Sequence, residues 1–157
     1  MKENVILLLA GLSIASQNAQ VAKEIPGPDA EKLWYHISQE SPYTEWGFWD
    51  EHQGVQAGNA SHGPLHKVFV NTKAKESKGP AANYGAILVE ENLDASRNLQ
   101  ALTVMYRIEG YNPEAGDWFW AKYTPDGQVD TAGKVNGCIS CHVSVKDNDY
   151  VHVHHFE

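Results

Sequence analysis

The chain has 157 residues, 42% of them apolar and 20% charged, which is one ordinary domain's worth of sequence with enough apolar content to bury a single core. Its formal net charge of -8 argues against a nucleic-acid or anionic-membrane surface, because those partners are held by clusters of Lys and Arg. A basic, soluble redox partner is compatible with that charge.

In chain order, Lys2 precedes an apolar run from Val5 to Ala15, and a small polar stretch follows from Ser16 to Gln20. This is the layout of a secretory signal, with cleavage expected near Ala15, Ala19 or Ala22. The run is too short to span a bilayer, which needs about 20 residues. Residues 1–19 are therefore read as a signal peptide and residues 20–157 as a single exported, periplasmic domain. After Pro26-Gly27-Pro28 a helix is predicted, with Pro28 at its first position. Ala30, Leu33, Trp34 and Ile37 recur at helical spacing, and Ser41-Pro42 ends the pattern. Tyr43, Trp46, Phe48 and Trp49 then crowd a short helix or turn before a Gly-rich loop.

From Leu65 the period changes to two. Residues 65–71, 84–92, 99–110 and 117–123 each have strand length, with β-branched and aromatic residues enriched and turn residues between them. Thr124-Pro125-Asp126-Gly127 fits a type I turn. Consecutive strands with short connections and no intervening helix predict an antiparallel sheet. Gly133 and Gly137 then lead into a loop or a single helical turn.

That turn carries Cys138-Ile139-Ser140-Cys141-His142, and these are the chain's two cysteines. The pattern C-x-x-C-H attaches c-type haem: two thiols add to the two vinyl groups, and the adjacent His is held under the iron. Three other readings of the residues stand beside it. A redox dithiol would sit near a βαβ pattern, which this chain lacks. A zinc site would draw on Cys138, Cys141 and His142 with His152, His154 or His155. A disulfide across two residues would close a trivial loop. For a haem, an electron carrier needs a second strong axial ligand, and Met105, His152 and His154 are the candidates. Met105 reads as a core residue. His152 and His154 alternate with Val151 and Val153 on a terminal strand whose His face reads as solvated. The iron is therefore expected to keep one open position.

The segments "SHGPLHKVFVN", "YGAILVEEN", "GYNPEAGDWFW" and "GCISCH", the last followed by "DND", resemble the cytochrome P460 family, which includes the cytochromes c-prime-beta. The resemblance runs over about Trp34 to His154. It implies an α+β fold, mainly an antiparallel β-sheet with flanking helices, a homodimer, and one covalently attached haem c with iron bound by His142. Some members oxidise hydroxylamine and carry a lysine bonded to the haem edge. Others lack that bond and bind nitric oxide and similar small ligands in an aromatic, apolar pocket.

Where members often read V-K-E-N, this chain has Val89-Glu90-Glu91-Asn92, and a glutamate cannot make the amine link. Lys67 is the remaining candidate for a crosslink. Glu90 or Glu91 would serve as a carboxylate base in an oxidase. Phe48, Phe69, Trp118, Phe119 and Trp120 would wall a gas-binding pocket, and Arg107 would reach a distal ligand or a haem propionate. The expected haem-contacting residues are thus Cys138, Cys141, His142, Phe69 and Arg107, with Glu90 and Lys67 as candidate catalytic groups. The expected partner is a small gaseous or nitrogenous ligand.

Overall fold

The computed structural model describes residues 25–58 and 61–157. The expected signal segment, residues 1–19, lies outside them. Among the described residues no helix is long and apolar enough to cross a membrane.

Six strands form one antiparallel sheet in simple sequence order: β1 (Gln56–Ala57), β2 (Leu65–Val70), β3 (Ile87–Leu93), β4 (Leu99–Arg107), β5 (Trp118–Tyr123) and β6 (Val129–Gly133). Helices α1 (Ala30–Tyr35), α2 (Thr72–Lys75) and α3 (Asn136–His142) flank it. This is the α+β architecture expected from the sequence. The central strands are buried on both faces, and alternate side chains enter two separate cores.

One core takes Phe69, Ile87, Val89, Leu102, Val104, Tyr106, Phe119 and Tyr123, and it is covered by Leu33 of α1 and by Ile37 of the turn that follows. The Tyr123 hydroxyl donates to the Ala30 carbonyl at 2.8 Å, which fixes that helix to β5. The opposite core takes Val68, Val70, Leu88, Met105, Trp118 and Trp120, and the C-terminal segment covers it with Tyr150, Val151 and Phe156.

The element boundaries depart from the sequence reading for local reasons. Asp29, not Pro28, starts α1: its carboxylate accepts from the amides of Glu31 and Lys32 at 3.1 and 3.0 Å, satisfying donors that no helical carbonyl reaches. The helix then widens into a π-helical turn, His36–Glu40, before Ser41. β3 begins at Ile87 because Gly85 turns the chain with φ +89. β4 ends at Arg107, and β5 begins only after Asp117, whose φ of +61 is not a strand conformation.

β6 was not anticipated. Its residues Val129 to Gly133 are largely exposed at the sheet edge, so no apolar alternation announces them. The turn before it forms as expected, with the Gly127 amide bonded to the Thr124 carbonyl at 2.9 Å. Gly127 is required there twice over: its φ is +87, and a Cβ would lie 2.2 Å from the Trp34 ring. The terminal strand expected for Val151 to His154 does not form. That segment is irregular, with Val151 buried and His152 exposed.

Candidate functional site

A cavity of about 240 Å³ lies between the β2–β5 sheet face and the C-terminal segment that begins with α3. Strand register builds its floor from two adjacent rows. One row runs Val68, Glu90, Thr103, Lys122 across β2 to β5, and the next runs Val70, Leu88, Met105, Trp120. A polar row thus lies beside an apolar one, and all but Val70 of these residues line the cavity.

Above the floor, α3 places Cys138, Cys141 and His142 on the cavity wall. Cysteines three apart on a helix share a face, which is why both line the cavity. Both are free thiols, Cys138 half-buried and Cys141 exposed. Burial pushes the Cys138 thiol above its ordinary pKa.

His142 is held by its ring. Nδ1 lies 2.7 Å from the Tyr150 carbonyl, an oxygen that can only accept, so Nδ1 carries the proton and Nε2 keeps its lone pair. Burial holds His142 below the ordinary imidazole pKa, which favours the same neutral form. The Trp120 ring packs against it edge-on at 4.7 Å.

Glu90 anchors a polar cluster at the same wall. Its carboxylate lies 2.6 Å from His66 Nδ1 and 3.1 Å from His62 Nδ1, and the Thr103 hydroxyl is 3.4 Å away. With Nδ1 of His66 facing a carboxylate, Nε2 of that ring is buried without a partner; so is Nε1 of Trp120. Two orphaned polar atoms inside a cavity wall mark a place for a polar or charged ligand.

The structure brings together Cys138, Cys141, His142 and Glu90, and it does not bring the other expected residues to them. Phe69 faces the opposite core, where it packs on Tyr43 and Phe48 with ring centroids 5.3 and 4.9 Å away. Lys67 shares that face and pairs with Glu91 at 2.7 Å. Strand parity keeps both off this cavity wall: positions 67 and 69 alternate with the cavity-lining His66 and Val68.

Arg107 lies off the end of the cavity. Its Nε donates to the Gly116 carbonyl at 3.1 Å, and its Nη1 reaches the Ala82 carbonyl and lies 3.3 Å from the Asp149 carboxylate. Phe48, Trp118 and Phe119 are likewise absent from the wall, so Trp120 is the one member of the expected aromatic set that lines it. Of the candidate second ligands, Met105 and His152 line the cavity. His154 stacks on Trp49 instead, with centroids 4.3 Å apart.

Sequence reasoning missed Lys122, which lines the cavity and pairs with Asp130 at 2.9 Å, and the joining of His62 and His66 through Glu90. Alternation along β2 and β3 places His66 with Val68 and Leu88 with Glu90, but only the register aligns the two strands.

The sequence profile of the Cytochrome P460 family matches residues 41–153. The chain belongs to the cytochrome P460 family. No curated protein matches it. Membership in the P460 family implies a haem, and the residues present fit one: two thiols on one helical turn, an imidazole with Nε2 free, an apolar row across the floor and two orphaned polar atoms. Among the described residues no three His, Cys, Asp or Glu side chains form a group able to hold a bare metal ion. Family membership together with a single C-x-x-C-H motif suggests a mono-haem c-type cytochrome.

Proposed function

We propose that this cytochrome binds a small ligand such as nitric oxide at an iron held on one side by His142, without a lysine bond to the haem. The observation that carries this reading is position 90. It faces the cavity and holds a carboxylate, which cannot form the amine bond, while Lys67 lies on the opposite face of the sheet, partly exposed and paired with Glu91.

The haem supplies an iron able to bind a small molecule at an open position. Cys138 and Cys141 would hold it covalently, and His142 Nε2 would take the axial position. Val68, Leu88 and Met105 make the apolar part of the cavity floor beside Glu90, Thr103 and Lys122, so that the site would select by size and polarity.

Titration of the reduced protein with nitric oxide tests the reading. The expected result is a saturable change in the haem absorption spectrum with one nitric oxide bound per chain. A reduced protein whose spectrum is unchanged by nitric oxide would instead have Met105 or His152 as a sixth ligand, the arrangement of an electron carrier.

A second reading, oxidation of hydroxylamine, is favoured by Glu90 and its two histidines. Oxidising hydroxylamine releases protons, and a carboxylate on the cavity wall, bonded to His66 Nδ1 at 2.6 Å, is placed to accept them.

A further inference from the structure

Arg107, expected at a distal ligand or a propionate, sits on the side of the molecule that holds His142. The connection runs through Asp149 and Tyr150, which both adopt left-handed backbone, φ +50 and +63, although neither is glycine. Consecutive residues in this conformation persist only where their surroundings hold them.

Here they are held at four points. The Asp149 carboxylate accepts from the Ala82 amide at 2.9 Å and lies 3.3 Å from Arg107 Nη1. The Asp149 carbonyl accepts from Trp118 Nε1 at 2.9 Å. The Tyr150 amide donates to the Val145 carbonyl at 3.1 Å, and its hydroxyl donates to the Glu114 carbonyl at 3.2 Å. Gly116 completes the fit, since a Cβ there would lie 2.9 Å from the Tyr150 ring. The product of these restraints is one carbonyl oxygen, that of Tyr150, placed 2.7 Å from His142 Nδ1.

We infer that the buried Arg107–Asp149 pair is a positioning device for the axial imidazole: it sets the orientation of the Tyr150 carbonyl, and through it the electron donation of His142 to iron. This rests on the reading of His142 as the axial ligand. A carbonyl that accepts strongly from Nδ1–H makes the imidazole a better donor at Nε2, and outer partners of this kind tune a metal centre nearly as much as the ligands do. With a haem in place, stronger donation from His142 would favour the oxidised iron and lower its reduction potential.

The test uses the haem-loaded protein with Asp149→Ala, Asp149→Asn and Arg107→Lys. Resonance Raman of the reduced form and the reduction potential are measured for each. Asp149→Ala is expected to move the iron–imidazole stretch to lower frequency and the potential upwards, with the haem still covalently attached. Asp149→Asn keeps an oxygen for the Ala82 amide and is expected to move both in the same direction by less.

If Asp149→Ala does not accumulate, Asp149→Asn and Arg107→Lys carry the same test. Variants that melt at lower temperature but keep both the stretch and the potential of the parent protein overturn the inference and leave a purely structural clasp. An iron–imidazole stretch missing from the unaltered reduced protein overturns the axial reading itself, and the inference with it.

Discussion

Replacing His142 with Ala is expected to abolish the iron–imidazole bond while the haem stays attached through Cys138 and Cys141. The reduced spectrum of the variant shifts, the iron–imidazole vibration disappears, and added imidazole restores much of both. The reason is geometric. The cavity holds other imidazoles, but among the described residues only His142 combines the position next to the second cysteine, a place on the cavity wall and an Nδ1 committed to a backbone carbonyl. His62 Nδ1 is committed to Glu90 instead. His152 lies nearest, its ring 5.0 Å from that of His142, but it is exposed and no carbonyl orients it. A reduced His142→Ala spectrum identical to that of the parent protein would remove His142 from the axial position.

The second large effect is expected at Glu90. If hydroxylamine is a substrate, Glu90→Gln lowers hydroxylamine-dependent reduction of an added electron acceptor by about 100-fold or more, the range for losing a positioned general base. Gln keeps the size of the side chain and an oxygen for His66 Nδ1, so the cavity keeps its shape. Nitric oxide binding, which transfers no proton, is expected to change little. Turnover equal in Glu90→Gln and the parent protein would take the carboxylate out of the chemistry. An equal loss of nitric oxide affinity would mean that Glu90 shapes the cavity rather than moving protons.

Much of the sheet was legible because its signals are local. Strands β2 to β5 carry β-branched and aromatic residues in alternation between turn residues, and each appears within a few positions of its expected bounds. The Cys138–His142 motif stands out for the same reason, since its residues lie together in sequence and within one short helix. β6 escaped because an exposed edge strand has no buried face to write into its sequence.

The cavity wall was only half legible. Parity along one strand shows which residues share a face, but not which face meets the haem. Phe69 and Lys67 share a face by parity, and only the fold shows that this face is turned away from the cavity. Glu90 was recognised as a candidate base from its chemistry, yet its pairing with His66 and His62 depends on the β2–β3 register and on a loop. Arg107 is the sharpest case. Its strand position was read correctly, sharing a face with Met105, but the partner that defines its role, Asp149, lies 42 residues away in a turn with left-handed backbone.

Mass analysis of haem-bearing peptides from the digested holoprotein decides between a haem held by the cysteines alone and one also bonded to a lysine. The peptide spanning Cys138 to His142 is expected to carry the full mass of one haem, with no second peptide bonded to it. A haem-free Cys138–Cys141 peptide would contradict covalent attachment, and a haem that also holds a peptide containing Lys67 or Lys122 would contradict a pocket without a lysine bond.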